Sequence, residues 1–391
     1  MLLESIQVGS MPLKNRVVML PMHFGMDLGS EQAREFYIER ARGGVGAIVT
    51  AATHLDLFLS DDAKSTAEEH PFFKGLCSLA KAVHEAAPGS LGVKIGVQLL
   101  QLNHYRELAG NYEAINAKDE GEWVAPSARV EPNPNIHPVA PGTELREITL
   151  EEVEQVIANF AMAAVKVRDA GFDFVEIHAC HGGLPCQFFS PIDNRRSDRY
   201  GGDLFRRMEF GIACVKSTRA AVGQDFPLFF RIGAEDDCAG GTTLFDSRKY
   251  AIELEKAGVD CFDVSMGVSS NRRYFINISP GPKEPMGTYV YLAEALKQAV
   301  KVPVIAAGRI NTPEIAEAVI SEGKADLVGL GRQLVADPMW PKKAIEGRTE
   351  DILVCDSCNQ NCWSRSRYAT TSSKPSLCHS NPRAGRELEM A

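Results

Sequence analysis

Hydrophobic and β-branched residues along this chain fall into short runs. Longer stretches separate them, in which apolar positions recur every three or four residues. The short runs, at 16–20, 47–50, 94–99, 174–178, 228–233, 261–265, 304–307 and 327–329, predict buried strands. The intervening stretches, at 31–42, 72–87, 150–170, 204–222, 247–257, 289–300, 313–322 and 334–345, predict amphipathic helices. Thr149, Asp203, Asp246 and Thr312 stand where helix N-caps belong, and Thr312 is followed by proline. Strands and helices alternating eight times predict an α/β fold, a (β/α)8 TIM barrel. A doubly wound sheet fits less well, because no Gly-x-Gly-x-x-Gly follows the first strand.

Two segments exceed a minimal barrel. Residues 100–147, rich in Asn, Pro and Glu, leave the C-terminal end of the third strand, where barrel active sites are built. They are a candidate lid or substrate wall. Residues 351–391 form a cysteine-bearing tail, so the expected division is a barrel over 1–350 and a C-terminal extension over 351–391.

Composition narrows the partners. The 391 residues carry 42 Lys and Arg against 51 Asp and Glu, a net charge of −9, and no basic run marks a nucleic-acid surface. No stretch approaches the ~20 apolar residues of a membrane helix. The N-terminus, with Glu4 inside its first apolar run, lacks the order of a signal peptide, so a cytoplasmic protein is expected. Of its 10 cysteines, Cys355, Cys358, Cys362 and Cys378 crowd into the tail. In a cytosolic chain that clustering indicates metal binding rather than disulfides.

Four features carry chemistry. The tail cysteines supply four thiolates; the gaps from Cys355 to Cys358 and Cys362 suit three corners of an iron–sulfur cubane, with Cys378 as the fourth. A structural zinc site is the alternative, but it usually presents two Cys-x-x-Cys knuckles and only one is present. His178 and His181 fall where the fourth strand leaves the barrel, placed to donate to one substrate oxygen and stabilise a developing enolate. The Gly308-Arg309 and Gly331-Arg332 pairs follow the seventh and eighth strands, the corner where barrels cradle a phosphate. Arg231, a charge inside the apolar run Phe229-Phe230-Arg231-Ile232, needs a partner or an electron-accepting ring, and Gln98 is a similar polar residue in the third strand.

Together these pieces resemble the Old Yellow Enzyme family of flavin reductases, most closely its iron–sulfur branch of 2,4-dienoyl-CoA reductases and trimethylamine dehydrogenase. The resemblance runs from Pro12-Leu13-Lys14-Asn15-Arg16 to Asn381-Pro382-Arg383. It is most specific over Gln187-Phe188-Phe189-Ser190-Pro191 and Asn194-Arg195-Arg196-Ser197-Asp198-Arg199-Tyr200-Gly201-Gly202. It implies FMN at the barrel mouth, with Pro21, Met22 and Ala52 lining the ring and Gln98 and Arg231 at its pyrimidine edge. Gly308, Arg309, Gly331 and Arg332 would hold the phosphate, and His178 and His181 the substrate carbonyl. Cys355, Cys358, Cys362 and Cys378 match the ligands of a 4Fe–4S cluster. Two positions depart from the pattern: the family's proton-donating Tyr is Gly183 here, which leaves His23, His181 and Tyr274 as candidate acids, and Gln101 stands where relatives often carry His.

The expected activity is reduction of a C=C bond conjugated to a carbonyl, as in an enoyl- or dienoyl-CoA thioester. Amine oxidation like that of trimethylamine dehydrogenase is disfavoured, because residues 21–30 hold no Cys for flavin attachment and only Trp123 is near for an aromatic cage. A non-catalytic electron-transfer subunit is the further alternative. Relatives with this cysteine pattern continue into FAD- and NAD(P)H-binding regions, and no Gly-x-Gly-x-x-Gly occurs in this chain. An electron-donor protein (a flavoprotein subunit, a ferredoxin or a second chain) and an oligomeric assembly are therefore expected.

Overall fold

The computed structural model describes residues 1–59, 71–89, 91–102, 104–105, 122–130, 142–267, 277–364 and 376–389. Eight parallel strands close into a barrel: β1 (Val17–Met19), β2 (Ala47–Val49), β3 (Lys94–Leu100), β4 (Phe174–Ala179), β5 (Leu228–Gly233), β6 (Cys261–Ser265), β7 (Val304–Ala306) and β8 (Leu327–Leu330). Each pairs with its neighbours in sequence, β8 closes on β1, and β3 meets β4. The TIM barrel read from the alternating pattern is the observed fold.

Alternation along the strands sends one set of side chains into the lumen. At its floor Val18, Ala47, Val49, Phe174, Phe229, Cys261, Ile305 and Leu327 form a sealed apolar layer. Phe174 and Phe229 stack there with ring centroids 4.4 Å apart. A hairpin of Ile6–Val8 and Met11–Leu13 adds Val8, Met11 and Leu13 to that layer. The strand reading had not included this hairpin, because each arm is only three residues long. Two residues above the floor on β3 to β6 the lumen turns polar, with Gln98, Glu176, Arg231 and Asp263, all buried.

The outer layer includes α1 (Glu31–Arg42), α2 (Pro71–Ala86), α3 (Leu150–Asp169), α4 (Leu204–Val222), α5 (Leu244–Ala257), α6 (Val290–Lys297) and α7 (Pro313–Ser321). Thr149, Asp203 and Thr312 cap α3, α4 and α7 as expected. Asp246 does not cap α5. Thr243 does, and Asp246 sits three residues on, accepting from Thr243 N at 3.0 Å in a reciprocal capping box. The single helix expected over 334–345 is two, α8 (Arg332–Ala336) and α9 (Trp340–Ile345). Pro338 forbids its predecessor the helical region, and Asp337 is extended, with φ −136° and ψ 95°.

Residues after β3 form a small sheet of His104–Tyr105, Glu122–Ala125, Glu144–Glu147 and Arg129–Val130. The tail packs on the barrel: Leu377 and Ala384 are buried in the main core, with Cys362 and Cys378 packed against it. Among the described residues no helix is long and apolar enough to cross a membrane.

Candidate active site and cysteine recess

His178 is the fifth residue of β4 and faces the lumen above Glu176. Its register partner on β5 is Arg231, whose partner on β6 is Asp263. His181 follows in a tight turn, at φ 54°, with its Nε2 2.7 Å from the Ser265 hydroxyl at the end of β6. The two imidazole centroids are 5.6 Å apart. Burial, reinforced by the Arg231 cation, lowers the His178 pKa to about 3 and holds His181 well below its usual range. Both are therefore neutral at physiological pH and can donate through N–H without carrying charge. Cys180 lies between them, its Sγ 3.8 Å from His178 Nδ1. Burial raises its pKa and keeps it a thiol.

Gly183 explains the missing tyrosine in steric terms. A Cβ there would lie 3.0 Å from both His178 Cδ2 and the His178 carbonyl oxygen. Of the other candidate acids, His23 is exposed on the segment after β1, and Tyr274 lies outside the described residues.

The polar layer beneath holds one cation and two carboxyl groups. Arg231 Nη1 pairs with Asp263 Oδ2 at 3.3 Å. Gln98 Nε2 donates to Glu176 Oε1 at 2.6 Å. Burial and mutual repulsion push the Glu176 pKa up, and burial raises Asp263 against the pull of Arg231. Arg231 Nε is buried with no hydrogen-bond partner. Glu176 Oε2 and the Asp263 carboxylate oxygens are likewise buried without hydrogen-bond partners; the unpaired guanidinium nitrogen among them fits the edge of an electron-accepting ring above. Glu176 and Asp263 were missed in the sequence, although the signal that singled out Arg231, a charge within an apolar strand, was present at both.

At the β7–β8 corner, Gly308 has φ 103° and Arg309 φ 58°. A Cβ on Gly308 would approach Tyr289 N to 2.9 Å, and one on Gly331 would approach Met22 Sδ to 3.0 Å. Only glycine leaves this corner open, which fits a phosphate-bearing cofactor. Pro21, Met22 and Ala52 line the same rim, half-buried. The two arginine side chains, however, turn to the tail. Arg309 Nε donates to Ser357 Oγ at 3.0 Å, and Arg332 Nη1 donates to Asn359 Oδ1 at 2.6 Å. These contacts engage Arg309 through Nε and Arg332 through Nη1.

Arg332 also lines a recess with all four tail cysteines. Burial pushes the Cys362 thiol up to about 12 and raises Cys355 and Cys358. Thiolates there need a metal to hold them. One tetrahedral zinc would draw its sulfurs to ~3.8 Å of one another, given a Zn–S bond of about 2.3 Å. Among the described residues, the groups with three ligand atoms all within 4.8 Å are His178, Cys180 and His181, and Asp356, Cys358 and His379; the tail cysteines form no such group. Four cysteines lining a common recess are a donor set that fits a bound metal centre. The loop is tied to the barrel by Asn311 Nδ2 to Cys355 O at 2.7 Å and by Cys355 N to Gln333 Oε1 at 2.8 Å.

The motif from Gln187 to Gly202 is largely a clamp. Arg196 donates to the carbonyls of Pro126 and Ile148, Arg195 N donates to Ser127 Oγ, and Arg129 bridges Asp193 and Gln187. It anchors the segment after β3 beside the mouth.

The mouth of this TIM barrel joins a neutral histidine pair, a buried arginine and a glycine corner. Residues 1–351 match the NADH:flavin oxidoreductase / NADH oxidase family. The chain belongs to that family, the Old Yellow Enzyme group that uses FMN. It is 39% identical to a metal reductase of Desulforamulus reducens, over 100% of this chain and 55% of that one. It is 31% identical to a cinnamate reductase of Clostridium sporogenes, over 99% of this chain and 58% of that one. Among solved structures it resembles a 2-naphthoyl-CoA reductase in complex with 2-naphthoyl-CoA, with a TM-score of 0.83, 28% identity and coverage of 99% of this chain and 58% of that chain. The chain thus spans a little over half the length of these relatives.

Proposed function

We propose that this protein is an FMN- and 4Fe–4S-dependent ene-reductase acting on a C=C bond conjugated to a carbonyl, with acyl-CoA thioesters, including aromatic-derived ones, as the substrate class. The observation that carries this reading is the neutral His178/His181 pair above the Gln98/Arg231 layer. Two uncharged N–H donors converging on a carbonyl oxygen favour the enolate over the ground state, because the negative charge develops only in the transition state. Ser265 holds His181 in place for that contact. The relatives' names, a cinnamate reductase and a 2-naphthoyl-CoA reductase, are in keeping with a conjugated acyl substrate.

FMN bound at the mouth would supply hydride from N5 to the β-carbon, and the cluster would supply electrons singly. Pro21, Met22, Ala52, Gln98 and Arg231 would hold the ring, and Gly308 and Gly331 would admit the phosphate. Cys355, Cys358, Cys362 and Cys378 would bind the cluster, with Arg332 beside it compensating thiolate charge. Because Gly183 offers no hydroxyl, His181, His23 or solvent would deliver the α-carbon proton. Electrons would enter from a donor protein through the tail.

The test is anaerobic purification, with the absorption spectrum, flavin and iron measured on one sample. Turnover of cinnamoyl-CoA and 2-naphthoyl-CoA by dithionite-reduced protein follows. The expected result is about one FMN and about four irons per chain, with consumption of at least one thioester. Absence of bound flavin would overturn the proposal.

A further inference from the structure

Glu176 lies in the same layer as Gln98 and Arg231, two residues assigned to the flavin, and has no part in the mechanism above. It is a register partner of Gln98 across β3 and β4, and both side chains are buried. The phenylalanine-rich floor closes the lumen beneath them. Gln98 Nε2 donates to Glu176 Oε1 at 2.6 Å, while Glu176 Oε2 has no hydrogen-bond partner. The other charged groups facing Glu176 are Arg231 on β5 and Asp263 on β6; the Cys180 and Cys261 thiols complete its titratable surroundings. Arg231 is committed to Asp263 at 3.3 Å. Glu176 is thus the acceptor that the geometry provides for the Gln98 amide nitrogen.

A side-chain amide is two-faced: one end donates, the other accepts, and a rotation of about 180° exchanges them. With its nitrogen held by Glu176 beside it in the layer, the carbonyl oxygen is the end of the Gln98 amide left for a ligand at the mouth. We propose that Glu176 is a positioning residue that fixes the Gln98 amide, so that the flavin edge meets a hydrogen-bond acceptor at this position and not a donor. The inference rests on the FMN reading given above and names a residue that acts on the ring only through Gln98. An amide freed from Glu176 samples both orientations and loses affinity for a ring N–H.

The experiment is a double-mutant cycle on FMN binding to the apo chain, read by quenching of flavin fluorescence, with the bound flavin's absorption spectrum recorded for each variant. Thermal unfolding of each apo variant serves as the folding control. Glu176→Leu and Gln98→Leu should each weaken FMN binding about tenfold, the loss of one hydrogen bond. The double variant should be no weaker than Gln98→Leu alone, because Glu176 has nothing left to position. Glu176→Gln, which keeps an oxygen able to accept, should stay within about threefold of the wild type. Additive losses in the double variant, or Glu176→Leu binding like the wild type, would overturn the inference. A wild-type chain that binds no FMN would instead overturn the functional proposal on which it rests.

Discussion

Arg40 and Glu387 lie 347 positions apart and meet in the core, Nη1 to Oε1 at 2.5 Å, with both side chains buried. The Arg40 guanidinium also stacks on Phe36, 3.5 Å from the ring centroid, and donates to the Leu334 carbonyl. This pair pins the returning tail against α1 and α8, assisted by Gln32 to Gly385 O at 2.6 Å and Asn381 to Val335 O at 3.0 Å. The same stretch of tail contains Cys378. Removing one partner of a buried pair leaves the other charge uncompensated, at a cost of about 3–5 kcal/mol.

Glu387→Gln should therefore lower the unfolding temperature and reduce iron per chain while leaving flavin content near the wild-type level. Calorimetry and iron and flavin assays on the same preparation check this. Unchanged iron content would mean that the tail cysteines do not depend on this anchor.

The depressed His178 pKa gives an acid arm to stability. The unfolded chain binds the imidazole proton near the usual 6.5, whereas the folded chain resists it down to about 3. As pH falls through that window the unfolded state gains protons first, so stability drops by up to about 1.4 kcal/mol per pH unit from this residue. His178→Asn removes that contribution. Its unfolding temperature should fall less steeply than the wild type's between pH 7 and pH 5, measured by thermal scans across the range. Parallel slopes for the two proteins would contradict the burial described.

Restoring the family tyrosine should not restore a proton donor. The Cβ of Gly183→Tyr would press on the His178 ring and carbonyl at 3.0 Å. Overpacking of this kind costs about 1–3 kcal/mol. The variant should bind carbonyl ligands more weakly, seen as a smaller perturbation of the flavin spectrum on titration with an enone. A gain in turnover would show that the turn relaxes more readily than its geometry indicates.

At the barrel floor Gly96 admits no side chain. A Cβ there would fall 2.4 Å from Phe174 Cδ2 and Cε2, inside the stack with Phe229. Gly96→Ala should destabilise the protein by at least about 1–3 kcal/mol. Pairing it with Phe174→Leu should recover part of the loss. Chemical denaturation of the two variants and the wild type makes the comparison.

The sequence by itself determined the barrel, because a buried parallel strand must be continuously apolar and its crossover helix must repeat its apolar face every three to four residues. β5 and β6 were legible to the residue, and the other strands to within one or two at either end. His178, Arg231, Gln98 and the tail cysteines were legible for a related reason: polar or reactive side chains interrupt an apolar or sparsely populated background. Tertiary structure alone decided how those residues are used. Register placed Glu176 beside Gln98 and Asp263 beside Arg231, a pairing across strands distant in sequence. The fold turned Arg309 and Arg332 to Ser357 and Asn359 in the tail. It also joined Glu387 to Arg40. Local periodicity specifies which face of an element is buried, but not which buried side chain it meets; that depends on chain closure, which brings together residues that share no sequence neighbourhood.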